Sequence, residues 1–420
     1  MARVRKGSPT LIRDLNRAAT LSVIGQQGPI ARVEIARRLS LSPATVTEVT
    51  RDLIDEGLVE AVEQAASRGG RPAVLLGIVP EAGSALGAKV SPDRLALVEV
   101  DLHGEIISHA DEPFDAQSPD AVDALLARLE DAVRQRARRA RTGRLLGVGL
   151  GVPGTVDPHA GTVQSPLLGW DGIPLASHAT ARLGVPVLVD NDVNTLAVAE
   201  RLYDRGRERE HFLTLTIGRG VGLGIIVAGD LYRGAHGGAG EFGHLPVQLD
   251  GPDCECGLQG CLEALVADPA LASQAAAEGL LPHGLPVREA RTQLRELADQ
   301  GDRTAARIFA TAGATLGRAV AGLVNVLSPE LIIVSGEGSD AWTHLEASFR
   351  RELDRATFPS LRGTEVAVDP WDDAKWARGA AALVLRATFA PPIYEHVPDA
   401  AVRERLAGTA ATARPTQQPA

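Results

Sequence analysis

Residues 240–263 read GEFGHLPVQLDGPDCECGLQGCLE and contain all three cysteines of the 420-residue chain. The thiols of Cys254, Cys256 and Cys261 and the imidazole of His244 make four ligands, which satisfy tetrahedral zinc and leave no position open. Glycines inside the stretch let the loop turn back on itself, so that the last cysteine can close the shell. The stretch therefore predicts a structural zinc site.

Neither chance nor a disulfide accounts well for this cysteine cluster. Three chance cysteines in a reduced protein would have no reason to fall within eight consecutive positions of a cysteine-poor chain. A disulfide would leave one thiol over, because the count is odd. The polar residues at the edges of the stretch, Glu241, His244 and Glu263, then become candidates for binding a ligand on a support that zinc keeps rigid.

Length and composition predict two or three domains with an aliphatic core, since 45% of the residues are hydrophobic and only 3% are aromatic. The sequence shows no run of eighteen apolar residues and no apolar segment behind the basic N-terminus. We therefore expect a cytoplasmic protein without membrane contact. The net charge of −10 is uneven, because residues 1–75 carry +3 and the remainder −13. Any contact with nucleic acid is expected in the basic N-terminal part.

Residues 1–80, called the head below, show the pattern of a winged helix-turn-helix domain. Apolar residues recur at helical spacing over residues 11–24 and again over residues 33–39. Ser42 is placed to cap a third helix that Gly57 ends. Two short strands should follow, joined by a turn that carries arginines, and these form the wing.

The polar face of the third helix is expected to enter the major groove of DNA. Its small hydroxyl and charged side chains suit phosphate and base-edge contacts, and they are Thr45, Thr47, Glu48, Thr50 and Arg51. Arg68 and Arg71 at the wing tip suit a narrow, electronegative minor groove. We predict that Thr45, Thr47, Arg51, Arg68 and Arg71 contact operator DNA. The alternative is a three-helix module that binds another protein.

The body, residues 84–390, repeats one plan of three strands, a turn and helices after about 130 residues. The predicted strands lie near residues 85–90, 95–100 and 105–108, and again near 211–217, 222–227 and 231–233. The predicted helices cover residues 119–139, 194–205, 303–327 and 375–389. This repeat predicts an α/β, actin-like body of two lobes with a cleft between them. Residues 391–420 are rich in Pro, Ala and Thr and predict a disordered tail.

These motifs resemble the ROK family (repressors, open reading frames, kinases), in particular its transcriptional-regulator branch, over roughly residues 8–390. The matching segments are residues 151–157 (GVPGTVD), 190–194 (DNDVN) and the run from 216 to 263. The resemblance implies a ribonuclease H-like, sugar-kinase-type body. It also implies a cleft in which a sugar is bound by Asn191, Asp192, Glu241, His244 and Glu263.

Within that resemblance, His244 would serve zinc with one ring nitrogen and the sugar with the other. Asp192 stands where kinase members place the base that deprotonates the attacked hydroxyl. For Asp192 alone, a local turn at a strand end is the alternative interpretation. Carboxylates at Glu241 and Glu263 favour the sugar site, because sugars are read by acceptors fixed in direction.

Kinase members of the family open the first lobe with the phosphate loop Asp-x-Gly-Gly-Thr-Lys, but residues 89–94 read KVSPDR. The aspartate on the metal side has become Lys89, Pro92 has no N–H to offer phosphate, and Asp93 repels it. A second phosphate loop, usually Gly-Thr-Gly, reads GRG at 218–220. No catalytic residue is therefore expected. Leu167-Leu168 replaces an Asn-Leu pair found in many kinase members, which leaves the sugar unidentified.

The sequence thus predicts a sugar-responsive transcriptional regulator, which in this branch is most often a repressor. It is expected to act as a homodimer or homotetramer, since operators with two-fold symmetry need at least two heads. An active ATP-dependent sugar kinase with an appended DNA-binding head is the second interpretation. A DNA-bound scaffold whose body binds a protein is the third.

Overall fold

The computed structural model describes residues 9–64, 73–139, 143–389, 401–402 and 405. The described part of the head contains α1 (Pro9–Gln27), β1 (Ile30–Ala31), α2 (Arg32–Leu39), α3 (Pro43–Asp55), β2 (Val59–Gln64) and β3 (Val74–Ile78). The predicted cap of the third helix is present, because the Ser42 hydroxyl accepts a hydrogen bond from the backbone N–H of Thr45 at 3.1 Å. The wing tip with Arg68 and Arg71 lies outside the described residues.

The prediction of a two-stranded wing was incomplete. The sheet of the head has three strands in the order β1-β3-β2, because the short segment before α2 pairs with β3. Ile30 lies opposite Leu76 and is 6% exposed, so this added strand closes one edge of the wing over the apolar core of the head. Two residues give too short a pattern to be recognised from sequence.

The first lobe of the body alternates a five-stranded sheet with flanking helices. Its elements are β4 (Gly83–Val90), β5 (Arg94–Asp101), β6 (Ile106–Pro113), α4 (Ala121–Arg138), β7 (Arg144–Val152), β8 (Thr155–Val156), β9 (Val163–Ser165), β10 (Trp170–Ile173), α5 (Leu175–Leu183), β11 (Val187–Asn191) and α6 (Asp192–Tyr203). β8, β9 and β10 form a separate small sheet.

The second lobe has a second five-stranded sheet and a larger helical layer. Its elements are β12 (Phe212–Ile217), β13 (Val221–Val227), β14 (Asp230–Leu231), α7 (Glu263–Val266), α8 (Asp268–Ala277), α9 (Val287–Asp299), α10 (Arg303–Leu327), β15 (Leu331–Ser335), α11 (Trp342–Ala356), β16 (Glu365–Val368) and α12 (Asp373–Phe389).

The two large sheets have the same topology, which confirms the predicted duplication. The first has the order β6-β5-β4-β7-β11 and the second β14-β13-β12-β15-β16. In each sheet the first three strands form an antiparallel meander and the last two run parallel to the first strand. Two copies of this strand order, with α6 and α12 packed against each other between the sheets, are the actin-like arrangement.

Head and body share one hydrophobic core. The cluster includes Ile24 and Leu53 of the head, Val98 and Leu146 of the first lobe, and Phe389 at the end of α12. Burial of apolar surface across this boundary stabilises the docking of the head. The predicted boundary between head and body near residues 80–84 therefore separates two folds that share one hydrophobic core.

The predicted disordered tail needs a correction where the chain is described beyond residue 390. Ala401, Val402 and Arg405 are helical, and Val402 is fully buried in the core that head and body share. The Arg405 guanidinium also donates to the Leu145 carbonyl at 2.9 Å. An apolar contact of this kind cannot be read from a segment that is otherwise rich in Pro, Ala and Thr. The other residues of 391–420 lie outside the described part.

Among the described residues, α10 is the one helix long and apolar enough to cross a membrane by length and composition. Its packing explains that composition, since Ile308, Phe309 and Leu316 lie in the core of the second lobe. A side chain at Gly317 would collide with the backbone of Phe349 on α11, so the two helices lie in close contact. We read α10 as a core helix.

Candidate functional site

The predicted metal ligands lie together at one end of the second lobe. One ligand atom from each of His244, Cys254, Cys256 and Cys261 lies within 4.8 Å of all the others. Cys254 Sγ is 3.6 Å from His244 Nδ1, and Cys256 Sγ is 3.7 Å from Cys261 Sγ. A tetrahedral zinc shell has ligand–ligand edges of about 3.6–3.8 Å, given its usual bond lengths. The four residues could therefore hold one metal ion.

The backbone between His244 and Cys261, called the metal loop below, is held by its own hydrogen bonds. The N–H groups of Val247 and Gln248 donate to the Gly260 carbonyl at 2.9 and 3.3 Å. Gly260 has a φ of +68°, and a side chain there would strike the Gln248 carbonyl, so glycine is required. Burial raises the pKa of the Cys261 thiol to about 12, and its contacts with Cys256 and Cys254 add to that shift. A bound cation would oppose this effect by favouring the thiolate.

The His244 ring faces two ways. Its Nδ1 lies against the sulfur of Cys254, while its Nε2 is 3.7 Å from a carboxylate oxygen of Glu241. One ring nitrogen therefore faces the cysteine cluster and the other faces Glu241, while the predicted service of the ring to a metal and a sugar stays a prediction. A metal-bound imidazole of this kind holds a fixed tautomer and orientation.

Three carboxylates meet in front of the metal loop. Desolvation raises the pKa of Glu241, His244 opposes that shift, and the charges of Glu263 and Asp192 raise it further. Glu263 begins α7, and its Oε2 accepts a hydrogen bond from Val221 N at 2.9 Å. Glu241, His244 and Glu263 of the second lobe therefore lie near enough to Asp192 of the first lobe for their charges to interact.

Asn191 is engaged with the backbone around it, and its predicted contact with a sugar stays a prediction. Its Oδ1 accepts from the N–H groups of Val193 and Asn194 at 2.8 and 3.2 Å, and so it caps α6. Its Nδ2 donates to the Gly154 carbonyl at 2.9 Å. The amide is thus engaged with backbone, and its visible role is to fix the start of α6, where Asp192 follows.

Lys89 lies beside Asp192, a pairing that the sequence did not reveal. Its Nζ is 3.6 Å from Asp192 Oδ2 and 3.4 Å from the ring centroid of Trp376. Lys89 is only 8% exposed, and its charge is balanced by the Asp192 carboxylate, by Asp373, whose raised pKa it opposes, and by the indole face. The substitution at residue 89 could be seen in the sequence, but Trp376 lies far along the chain and carries no motif.

Asp190 is a second site residue that sequence reasoning did not single out. It is 5% exposed, and Arg233 of the second lobe donates to its Oδ2 at 2.6 Å. Its Oδ1 accepts from Asn194 Nδ2 at 2.9 Å and from Asn191 N at 2.8 Å. This buried ion pair ties the segment before Asp192 to the segment that leads into the metal loop.

The third helix of the head presents part of the predicted polar face. Thr47 and Arg51 are exposed, and Thr45 is half-buried with its hydroxyl against that of Ser42 at 2.8 Å. The Thr47 hydroxyl donates to the Pro43 carbonyl at 2.7 Å, which leaves its oxygen as an acceptor and its methyl group for contact. The placement of Thr50 on this face was wrong.

Thr50 is fully buried, because it lies on the same side of α3 as the core residues Val46 and Leu53. Its hydroxyl accepts from the Arg32 guanidinium at 2.8 Å and donates to the Thr47 carbonyl at 3.3 Å. A threonine between apolar positions reads as polar in sequence, although a buried hydroxyl with two partners costs little.

One solved structure shares nearly the whole architecture, and another shares a large part of it. A ROK family transcriptional regulator, described as a homolog of the E. coli MLC protein, matches with a TM-score of 0.78 and 25% identity, over 94% of this chain and 99% of that one. A ROK family glucokinase from Streptomyces griseus, solved with glucose and AMPPNP, matches with a TM-score of 0.61 and 29% identity, over 72% of this chain and 99% of that one.

Sequence comparison covers the head as well as the body. The DNA-binding transcriptional dual regulator NagC of Escherichia coli (strain K12) is 29% identical over 398 residues, 93% of this chain and 97% of that protein. The xylose repressor of Caldicellulosiruptor bescii is 29% identical over 401 residues, 92% of this chain and 100% of that protein. The MarR family profile matches residues 15–64, and the ROK family profile matches residues 87–387. The chain therefore belongs to the ROK family, with a MarR-type winged helix-turn-helix head.

Proposed function

We propose that the protein is a sugar-responsive transcriptional repressor whose head binds operator DNA and whose cleft binds a sugar or sugar derivative as effector. The observation that carries this proposal is the full-length match: the transcriptional regulators cover the head and the body together, whereas the glucokinase matches the body. The protein would work in the cytoplasm as a homodimer or homotetramer, since a two-fold operator takes two heads.

The effector site would be the cleft where the carboxylates meet. Asp192, Glu241 and Glu263 accept hydrogen bonds from sugar hydroxyls, and His244 adds its Nε2. Asn191 contributes by capping α6, which fixes the direction of Asp192. Zinc on the metal loop would be structural, because its four protein ligands close the shell and leave no position for substrate.

We infer that the body has lost phosphoryl transfer. Lys89 lies 3.6 Å from Asp192 and keeps that carboxylate in an ion pair, so it is poorly placed to act as a base. The turn after β4 closes on itself, since Ser91 N donates to the Arg94 carbonyl at 2.9 Å and Pro92 offers no N–H. The match to a glucokinase keeps an active kinase with a DNA-binding head as the second candidate.

One experiment separates these candidates and the protein-binding scaffold. An operator would be selected from random duplexes with the purified chain. Its affinity would then be measured by fluorescence anisotropy with D-xylose, D-glucose and N-acetyl-D-glucosamine, free and phosphorylated. We expect at least one compound to weaken operator binding, and no sugar-dependent ATP turnover with magnesium. Turnover that disappears in Asp192→Asn would establish the kinase. Absence of any sugar binding by calorimetry would favour the scaffold.

The same assay tests the predicted docking of α3. Arg51 is exposed on that helix, and loss of one base contact should cost about 1–3 kcal/mol at a single operator position. Arg51→Ala should therefore weaken operator binding, whereas Glu60→Ala, an exposed site on β2, serves as the matched control. Equal affinities for both variants and the wild type would place the DNA on another face.

A further inference from the structure

Helix α12 touches both the cleft and the head. Its 17 residues span about 26 Å at the rise of an α-helix. Trp376 lies in its first turn and Phe389 is its last residue. A signalling role for α12 rests on the proposed function, because it concerns how an effector in the cleft reaches the head.

The cleft end of α12 is attached to the proposed effector contacts. The Trp376 ring is 5% exposed and lies under the Lys89 ammonium, which in turn faces Asp192 at 3.6 Å. Trp376 also packs against Val193 and Leu196 of α6. A sugar hydroxyl that donates to Asp192 adds a second donor beside Lys89, so occupancy of the cleft changes the surroundings of Lys89 and of the Trp376 ring beneath it.

The middle of α12 is wedged between backbones. A side chain at Gly87 of β4 would come within 2.6 Å of Ala381 N, and one at Gly379 of α12 would come within 2.8 Å of Thr195 O on α6. Gly149 of β7 likewise admits the Ala380 backbone with no room for a side chain. At these three positions α12 therefore packs directly on the backbones of its neighbours, so a shift of α12 requires a matching shift of the elements it touches.

The other end of α12 is fixed to the head. The Phe389 carbonyl accepts hydrogen bonds from Ser22 Oγ and, at 3.1 Å, from Gln26 Nε2, both on α1. A side chain at Gly25 would lie 2.6 Å from the Phe389 ring, so the ring rests directly on the α1 backbone. Phe389 shares its core with Leu53 of α3, the helix proposed to enter the major groove.

We propose that α12 is the coupling element of this regulator: it carries effector occupancy from Lys89 and Trp376 to the head through the seat of Phe389 on Gly25. The head would keep its fold and its DNA surface, and its position on the body would change. Allostery requires two states in which each ligand makes different contacts. In this proposal α12 has two positions, one favoured by the effector and the other by operator DNA. Phe389 and Gly25 contact neither ligand, so they are positioning residues.

The test is a set of coupling measurements on the full chain. Operator affinity is measured with and without the sugar identified in the panel of sugars, and sugar affinity with and without operator. For the wild type we expect a coupling factor in the usual range of about 5- to 150-fold. In Phe389→Ala the factor should fall at least threefold toward one, while sugar affinity without DNA stays within twofold. Phe358→Ala, at a phenylalanine that is 63% exposed, is the control.

Gln26→Ala is a second test for the case in which Phe389→Ala fails to fold, because it removes one hydrogen bond and opens no cavity. It should lower the coupling factor in the same direction with an unchanged melting curve. Hydrogen exchange gives a direct readout: sugar should alter exchange in α1 of the wild type and leave it unaltered in Phe389→Ala. Full coupling in both variants would overturn this inference alone. Absence of any coupling in the wild type would instead overturn the proposed function, and the inference with it.

Discussion

The two lobes share one strand order and differ in the segment after the third strand. In the first lobe residues 114–120 join β6 to α4, and in the second lobe residues 232–262 join β14 to α7 and contain the metal loop. We propose that the longer connection of the second lobe supplies ligand contacts that the shorter connection of the first lobe lacks.

The hairpin turns of the lobes show the same divergence. In the second lobe the turn between β12 and β13 gives the Val221 N–H to Glu263, which holds a carboxylate in the cleft. In the first lobe the turn between β4 and β5 bonds to itself, and Lys89 occupies the cleft beside Asp192. We propose that the second lobe supplies most of the ligand contacts and that the first has lost phosphate handling.

The largest expected effect tests whether the second lobe depends on its metal loop. Cys261→Ser removes a fully buried ligand, and loss of a structural metal should cost more than about 4 kcal/mol of unfolding free energy. Metal analysis and thermal unfolding would measure this, with Leu249→Ala, at a side chain that is 94% exposed in the same loop, as control. Less than half an equivalent of zinc in freshly purified wild-type protein would refute the zinc assignment.

The next effect tests whether ligand recognition belongs to the second lobe. Glu263→Ala removes a carboxylate proposed to accept from the sugar, and hydrogen bonds to a charged group contribute about 1.5–3 kcal/mol. Sugar affinity should therefore fall about 10- to 150-fold by calorimetry, while operator affinity without sugar stays unchanged. Glu255→Ala, at an exposed carboxylate of the metal loop, is the matched control. Equal losses in the two variants would mean that the loop fold, not the carboxylate, was being probed.

A smaller effect addresses the first lobe. Lys89→Met removes the cation paired with Asp192 and stacked on Trp376, which should cost about 1–2 kcal/mol of stability. Lys89→Asp restores an acid where kinase members have one, yet we expect no phosphorylation, because Pro92 and Asp93 still disrupt the loop. A coupled assay with ATP, magnesium and the identified sugar checks this. Phosphorylation of the sugar by Lys89→Asp would show that the substitution at residue 89 alone had abolished kinase activity.

Patterns among neighbouring residues in the sequence predicted the helices, the strands and the metal cluster, but they did not predict contacts between distant segments. The periodicity of residues 303–327 gave the bounds of α10, and the ligand types in the metal loop gave the cluster, since both depend on near neighbours in sequence. The contact of Lys89 with Trp376 and that of Asp190 with Arg233 join distant segments. No periodicity or spacing encodes such pairs. They arise when tertiary packing brings separate elements together.

The contact between α6 and α12, which lies between the lobes, gives the smallest predicted effect on stability. Glu200 of α6 is fully buried beside Lys375 of α12, with 3.4 Å between Glu200 Oε1 and Lys375 Nζ. Burial raises the pKa of Glu200 from 4.5 to about 7, although Lys375 opposes the shift. The folded state thus binds this proton more tightly than the unfolded state does. The resulting stabilisation is complete below about pH 4.5 and is lost as the pH rises to about 7.

Glu200→Gln cannot ionise, so it should remove that pH dependence. Between pH 5 and pH 8 the unfolding free energy of the wild type should fall relative to the variant by on the order of 1 kcal/mol. Urea unfolding at both pH values measures this difference, with Glu208→Gln, at an exposed carboxylate in the following loop, as control. If the contact between α6 and α12 transmits movement between the lobes, the Glu200 variant should also change the coupling between sugar binding and operator binding. If the unfolding free energies of wild type and variant change with pH in parallel, Glu200 stays ionised and forms a lasting ion pair with Lys375.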